Sequence, residues 1–494
     1  MAKVVAVVVA SDAGAMERQA RESLSRGADL VELRLDHLRD VSPGHLKRLS
    51  NSVGPRAIAT LRSRGQGGAS DLPRERRRAL LGDLVRLRFR YVDLERDEDG
   101  TFLQTIRGDR SRRDKSILVS HHFAEPAEPS EVADALDACA ALGDVAKVAT
   151  PVDDLGTAVA LAEIARTRAA SGRRSVVIGL GPAGMLTRAL AEDTGQEVQY
   201  AALDRPTAAG QFGLSTALRL RGQSPIVLGL VGHPLGHSIS PQIHEAAFGA
   251  ANAPAVYLPF DVERADLGLL LDAPDRLRLR GFNVTIPYKE TVASMVDELD
   301  GDAEALEAVN TVVVQDGWTK GLNTDVYGFR TALRSLGLRV GGAPVLVVGA
   351  GGAAKAVVHV LLREGARVSV ANRTSARADA LADSFDAPVD VVEIESLPSG
   401  GPWDLLVNAT PAGMKGHPDE LPVPEKALAR AAFVYDLVYN PPETSLLRAA
   451  RRAGARAASG LDMLLHQAAK AYELWLGREP PFKAMEAAAR EALR

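Results

Sequence analysis

Lys147 lies in the middle of an apolar run, Val145-Ala146-Lys147-Val148-Ala149, in a chain whose positive charge is carried mostly by arginine. A lysine turned into a packed interior favours its neutral amine, which attacks a ketone to give an imine. Once protonated, that imine is an electron sink that acidifies the neighbouring carbon. His121, in Ser120-His121-His122-Phe123, is placed to remove the proton and to return one to a leaving hydroxyl. Glu32 and Arg34, in Val31-Glu32-Leu33-Arg34-Leu35-Asp36, together with Arg62 and Arg188, put charges near the ends of strand-like runs. Arginine is the natural bidentate clamp for a substrate carboxylate. Each residue alone has a blander reading. Alternating Glu and Arg can be a solvated face, and one of two adjacent histidines usually meets water.

A second set of groups follows. Gly232-His233-Pro234-Leu235-Gly236-His237-Ser238-Ile239-Ser240-Pro241 puts two hydroxyls on a turn before a helix. Gly281-Phe282-Asn283-Val284-Thr285-Ile286-Pro287-Tyr288-Lys289 is a strand entering a lysine, Asn310-Thr311 opens another strand, and Gly321-Leu322-Asn323-Thr324-Asp325 ends the next. Hydroxyls, amides, one cation and one carboxylate suit a small polyhydroxy acid. A ketone that accepts hydride develops charge on oxygen and must gain a proton, and Lys289 with Asp325 can form that proton-handling pair.

The hydride source is written next. The apolar run from Val345 ends in Gly349-Ala350-Gly351-Gly352-Ala353-Ala354, passes into a helical pattern and reaches a second strand, Val368 to Ala371. Such a strand, glycine turn and helix present N–H groups to a pyrophosphate. Where an acid would grip a ribose 2′-hydroxyl, Asn372-Arg373-Thr374 stands instead, and a guanidinium with a hydroxyl suits a 2′-phosphate. NADP(H) is therefore expected rather than NAD.

The elements that position these groups alternate strand and helix. In the first part, β-rich runs occur at Val4–Ala10, Leu30–Asp36, Arg56–Arg62, Tyr91–Glu95, Ser116–Phe123, Val145–Thr150, Ser175–Gly181 and Val198–Leu203. Eight such units in slightly over 200 residues predict a (β/α)8 barrel, with an open doubly wound sheet as the alternative. The stretch Leu220 to Pro225 reads as a linker, and Ile226–Val231 begins a second α/β unit. The expected division is a barrel over 1–222, a substrate-binding α/β domain over 225–330 to which helices 460–494 return, and a Rossmann NADP-binding domain over 331–459.

The 494 residues exceed one core. A net charge of −4 gives no reason to expect nucleic acid or an anionic membrane as partner. Cys139 is the single cysteine, so no disulfide framework or thiolate cluster is expected, and the scattered histidines lack metal-ligand spacing. The opening MAKVVAVVVASDAG is too short in its apolar run to span a membrane and reads as a first strand, so a cytoplasmic location is expected. Nothing in the sequence bears on oligomeric state.

From Ile226 to about Arg494 the chain resembles shikimate dehydrogenase, through HSISPQIHEAAF, GFNVTIPYKE, AVNTVVV, GLNTDVYGF, VGAGGAAKA, ANRT, NATPAGM, YDLVYNPPETSLL and GLDMLLHQAAKAYELW. The resemblance implies that Ser238, Ser240, Asn283, Thr285, Asn310, Asp325 and Gln467 contact shikimate or 3-dehydroshikimate, with Lys289 and Asp325 as the catalytic dyad. It implies that the glycine turn (Gly349, Ala350, Gly351, Gly352, Ala353), Asn372, Arg373, Thr374, Thr410 in the Asn408–Met414 loop and Met463 line the NADP side. Glu245 follows His244 where the family often has Asn.

From Lys3 to about Leu214 the chain resembles type I 3-dehydroquinate dehydratase, the imine-forming class, through ELRLD, TLRSRGQGG, SHHF, AKVATP, GLGPAGMLTRAL and PTAAGQF. The resemblance implies Lys147 as the Schiff-base lysine and His121 as the acid/base. Glu32, Arg34, Arg62, Arg188, Thr207 and Gln211 would hold substrate. Gln66 takes the place of a glutamate that pairs with the histidine, His122 that of an Asp beside it, and Thr207 that of a serine. Together the resemblances imply a bifunctional enzyme that dehydrates 3-dehydroquinate and reduces 3-dehydroshikimate. The alternatives are a dehydrogenase with a weak or inactive barrel, a non-catalytic NADP/shikimate sensor, and an NAD-linked quinate/shikimate dehydrogenase.

Overall fold

The first eight strands are β1 (Lys3–Val8), β2 (Leu30–Arg34), β3 (Ala57–Thr60), β4 (Tyr91–Glu95), β5 (Ser116–His122), β6 (Val145–Pro151), β7 (Ser175–Leu180) and β8 (Val198–Ala202). They form one sheet in the order β7-β6-β5-β4-β3-β2-β1-β8, and each pairing is parallel. This computed structural model describes residues 1–106, 116–236, 238–272 and 274–494, so His237 of the hydroxyl-bearing turn lies outside the described residues. The eight strands coincide with the eight β-rich runs of the sequence, and the sheet is the nearly closed barrel rather than the open alternative.

Strands buried on both faces need near-continuous apolar sequence, and these have it. Val5, Val7, Leu30, Ile58, Tyr91, Leu118, Val145, Val176, Val198 and Tyr200 pack together as the inner cluster. Side chains alternate along a strand, so the inner face then continues toward the carboxyl ends with Glu32, Thr60, Asp93, Ser120 and Lys147, all buried. The charged layer therefore sits where barrels of this kind carry their loops.

Contacts divide the chain into two units, one of residues Met1–Leu228 with Asn252–Leu279, the other of Gly229–Ala251 with Arg280–Arg494. Strand β9 (Ile226–Gly232) precedes β10 (Ala255–Asp261), whose residues count with the first unit. In the second unit β9, β11 (Leu279–Val284), β13 (Thr311–Gln315), β14 (Trp318–Leu322) and β12 (Glu298–Leu299) follow one another across a sheet. Strand β13 runs antiparallel to both β11 and β14, and β12 parallel to β14.

The remaining sheet is wholly parallel. It contains β15 (Pro344–Val348), β16 (Arg367–Ala371), β17 (Asp390–Val391), β18 (Trp403–Asn408), β19 (Ala431–Asp436) and β20 (Arg456–Ser459), in the order β17-β16-β15-β18-β19-β20. The order reverses between β15 and β18, and in doubly wound sheets the crevice at such a reversal takes the dinucleotide.

The helix Leu461–Leu476 packs on the helix Thr324–Ser335, and the helix Phe482–Ala492 on Ser240–Ala250. The first contact depends on Gly328, where a Cβ would come within 2.7 Å of the Met463 carbonyl oxygen and 2.9 Å of Gln467 Cβ. Trp475 closes the same region by donating from Nε1 to the Val312 carbonyl at 2.9 Å. Gly328→Ala is expected to push these helices apart and to destabilise the second unit by about 1–3 kcal/mol, read as a lower unfolding temperature by calorimetry. An unchanged transition would contradict this packing.

Candidate active sites

At the carboxyl ends of the barrel strands a cavity of about 440 Å³ is lined by Glu32, Arg34, Arg62, Gln66, His122, Lys147, Arg188, Thr207 and Gln211, among others. Lys147 reaches it from β6. Burial alone does not describe the surroundings of its Nζ, because Asp93 Oδ2 lies 3.2 Å away and Glu32 Oε1 3.7 Å away. The Tyr200 ring lies 4.4 Å from the same nitrogen. Thr60 donates to Glu32 Oε1 at 2.9 Å.

The histidine at the cavity is His122, not His121, which corrects the sequence reading. The inner cluster contains Leu118, so Ser120 and His122 share its face of β5 and His121 points to the other. His121 places Nδ1 2.7 Å from Asp97 Oδ2 and its ring edge-on to Phe123. His122 is pushed well below the ordinary imidazole range by burial and by the neighbouring Arg62, Lys147 and Arg34. Its Nδ1 has no hydrogen-bond partner among the described residues. The expected pairing of Gln66 with an imidazole also changes. Gln66 Oε1 accepts from the backbone N–H of His122 at 2.8 Å, fixing the strand end that carries the ring.

The arginines divide by partner. Arg34 donates from Nε and Nη2 to the two oxygens of Asp36, at 3.0 and 2.8 Å. Arg62 donates to Asp93 at 2.7 Å, Ser120 at 2.7 Å and Glu95 at 3.3 Å. Arg188 has no such carboxylate among the described residues. Burial, with no acid to offset it, lowers its pKa to about 10, and its Nε is unpaired among the described residues. Thr207 donates from N and Oγ1 to Gln211 Oε1, at 2.8 and 2.9 Å, holding both at the rim. Sequence reasoning missed Asp93, Glu95 and Ser120. The signal was present, since Tyr91-Val92-Asp93-Leu94-Glu95 alternates acids onto the face that carries Tyr91.

In the second unit, Lys289 Nζ donates to Asp325 Oδ2 at 2.5 Å. Lys289 opens a short helix directly after the β11 segment, and Asp325 sits in the first turn of Thr324–Ser335, where the helix dipole favours a carboxylate. Behind the pair runs a connected polar set. Asn310 Oδ1 accepts from Thr324 N at 2.7 Å and from the Thr311 and Thr324 hydroxyls at 3.0 Å. Asn283 Nδ2 donates to Thr311 Oγ1 at 3.0 Å, and Gln467 Oε1 accepts from Thr324 Oγ1 at 3.4 Å. Ser240 N donates to Ser238 Oγ at 3.2 Å, and Thr285 N ties to the Val231 carbonyl at 2.9 Å. Tyr439, missed from sequence, is a phenol pushed up by burial and hydrogen-bonded to Ser238.

The glycine turn fits a dinucleotide. Gly349 has φ +115, and a Cβ there would come within 3.0 Å of the Ala409 backbone. A Cβ on Gly351 or Gly352 would meet nothing within 4 Å, so the start of the helix Gly352–Arg363 faces open space. No side chain caps that helix, which leaves its first N–H groups for an anion. Ala350 and Ala353 keep the same turn small. Asn372 Nδ2 donates to the Thr374 carbonyl at 2.9 Å, and Arg373 and Thr374 are exposed beside it. Thr410 donates from N and Oγ1 to Asn408 Oδ1 at 3.0 and 2.7 Å, shaping the loop after β18. Met463 is buried on the helix Leu461–Leu476.

The model of type I 3-dehydroquinase matches residues 4–224, that of the shikimate dehydrogenase substrate binding domain 230–312, that of shikimate/quinate 5-dehydrogenase 330–412, and that of the shikimate 5'-dehydrogenase C-terminal domain 460–490. The bifunctional 3-dehydroquinate dehydratase/shikimate dehydrogenase of Arabidopsis thaliana, described as chloroplastic, is 32% identical over 97% of this chain and 82% of its own length. An NADP-dependent shikimate dehydrogenase of Caldanaerobacter subterraneus is 44% identical over 51% of this chain and 91% of its own. The structure of shikimate 5-dehydrogenase from Thermus thermophilus with NADP(H) and shikimate is 38% identical, with a TM-score of 0.50, covering 54% of this chain and all of that one. Fold and sites thus define a barrel lyase joined to a Rossmann oxidoreductase. The chain belongs to the bifunctional 3-dehydroquinate dehydratase/shikimate dehydrogenase family, with NADP(H) as its cofactor.

Arg188→Met removes a buried charge that has no carboxylate partner among the described residues. It is expected to leave the unfolding temperature of the first unit unchanged or higher, while raising KM for 3-dehydroquinate by about 30-fold or more. A clear loss of stability with KM retained would contradict the assignment of Arg188 as the free anion holder.

Proposed function

We propose that Lys147 forms the imine with 3-dehydroquinate, that His122 moves the protons of the dehydration, and that Arg188 clamps the substrate carboxylate. One observation carries this reading: a single cavity brings together a lysine, a histidine held below the ordinary imidazole range and an arginine with no acid partner among the described residues. Lys147 condenses with the substrate ketone and releases water. His122, kept uncharged by its surroundings, takes a proton from the carbon next to the iminium and returns one to the departing hydroxyl. Glu32, Arg34, Arg62, Thr207 and Gln211 shape the space around the ring. Gln66 supports His122 through its backbone, so the change from a glutamate leaves the base in place and speaks against an inactive barrel.

In the second unit, NADP(H), when bound, would supply hydride for the ketone of 3-dehydroshikimate. Lys289, oriented by Asp325, gives the developing alkoxide its proton. A proton-transfer pair is needless for a sensor that only binds. Ser238, Ser240, Asn283, Thr285, Asn310 and Gln467 orient the hydroxyls and carboxylate. The glycine turn, Thr410 and Met463 would hold the dinucleotide, and Asn372, Arg373 and Thr374 would take its 2′-phosphate. The division of labour follows residues 1–222 for dehydration, 225–330 with 460–494 for substrate in the reduction, and 331–459 for NADP(H). A single cysteine and no disulfide framework fit a cytoplasmic location.

His122→Ala is expected to lower kcat for dehydration by about 100-fold or more, and His121→Ala by less than about fivefold. The reverse ranking would return the base to His121. Arg373→Ala is expected to raise KM for NADPH by about tenfold or more and to leave KM for NADH near its starting value. Equal losses for both cofactors would displace the phosphate site.

A further inference from the structure

Asp93 takes no part in the reading above, yet its carboxylate is the one at hydrogen-bond distance from the reacting nitrogen. Its side chain is fully buried. Oδ2 lies 3.2 Å from Lys147 Nζ and 2.7 Å from Arg62 Nη2, while Oδ1 accepts from Ser120 Oγ at 2.6 Å. Oδ1 is thus tied to the neighbouring strand β5 and Oδ2 to Arg62 just after β3, which holds the carboxylate beside the lysine. Glu32 Oε1 is farther, at 3.7 Å, and the face of Tyr200 closes another side. Arg62, Arg34, Arg64, Arg188 and His122 are the other charged or titratable residues lining the same cavity, and Glu95 lies behind Arg62.

We infer that Asp93 is the fixed counter-ion of the imine nitrogen, a catalytic residue that stabilises the positive charge this nitrogen carries before attack, as ammonium, and after loss of water, as iminium. The chemistry balances without any other reagent. The ammonium of Lys147 and the substrate ketone become an iminium and one water: the C=O bond breaks and a C=N bond forms. One N–H proton passes to the carbonyl oxygen as the neutral amine attacks, and a second leaves with that oxygen as water, which returns the positive charge to nitrogen. An anion fixed there meets the same charge at both ends and need not move, as preorganised electrostatic stabilisation requires. The next step depends on it. Removal of the carbon-bound proton sends an electron pair into C=N⁺, and a neutral imine is a far poorer acceptor. Burial disfavours the Asp93 anion, but Arg62, Lys147 and Ser120 outweigh it and hold the group below the usual carboxylate range.

The inference rests on Lys147 forming the imine, and the test separates the two. Asp93→Asn keeps the size and one accepting oxygen, turns the other accepting position into a donor, and removes the charge. Expected is a fall of at least about 100-fold in kcat for dehydration with KM for 3-dehydroquinate changed by less than about threefold, the reduction of 3-dehydroshikimate serving as the standard of protein concentration. An unchanged kcat, or a rise in KM alone, would mean that Asp93 only anchors Arg62 and would overturn the inference. Should the variant not fold, nitrogen NMR of ¹⁵N-lysine-labelled parent protein with 3-dehydroshikimate and no NADPH decides. The Lys147 imine nitrogen is expected to stay protonated from about pH 6 to about pH 9. Titration to a neutral imine within that range overturns the counter-ion role alone. No imine signal overturns both it and the reading beneath it.

Discussion

Charges can be buried in the mouth of the barrel because nearly every cation there meets at least one carboxylate. Arg34 is met by Asp36, Arg62 by Asp93 and Glu95, Arg77 by Asp99 and Glu95, and Lys147 by Asp93. Taking such groups out of water costs several kcal/mol each, which Coulomb attraction offsets only when geometry and hydrogen bonds are good. The network meets that condition by tying β3, β4, β5 and β6 together through side chains as well as through the sheet. Glu95 shows how close the balance is: burial raises its pKa even though Arg62 and Arg77 pull the other way. Arg188 is the exception among the described residues, and a buried guanidinium without an acid suits the carboxylate clamp proposed for it.

The two reactions use the same device in different settings, a lysine aimed by a carboxylate. In the barrel, Lys147 faces Asp93 in full burial, and in the proposed reaction it attacks as the amine and regains its positive charge as the iminium. In the second unit, Lys289 and Asp325 are partly open to solvent, and the lysine must give up a proton. The product of the first site is the substrate of the second, so joining them on one chain lets the chemistry run in series with no contact between sites required.

Much of this was legible in the sequence. All eight barrel strands are visible as β-rich runs, because parallel strands covered on both faces must be apolar almost throughout. The glycine turn is legible because Gly349 and Gly351 answer to backbone demands that few other residues meet. The choice between His121 and His122 was also open to a period-two count from Leu118, which puts Ser120 and His122 inside. Resemblance points to His121 and the strand period to His122, because the adjacent histidines blur the motif. What the sequence does not contain is partnership. Nothing in the residue types separates Arg62, saturated by Asp93, Glu95 and Ser120, from Arg188, which has no acid among the described residues. Nor does the sequence show that Gln66 would hold a backbone N–H rather than an imidazole, since that depends on how the loop after β3 closes on β5.

The account stands on Lys147 and the Lys289–Asp325 pair acting in turn on one substrate. The most direct test is to supply 3-dehydroquinate and NADPH together and to follow NADPH absorbance in the parent protein and in Lys147→Ala. The parent is expected to oxidise NADPH and accumulate shikimate. Lys147→Ala is expected to do so only when 3-dehydroshikimate is supplied instead. NADPH oxidation from 3-dehydroquinate by Lys147→Ala at the parent rate would contradict the account.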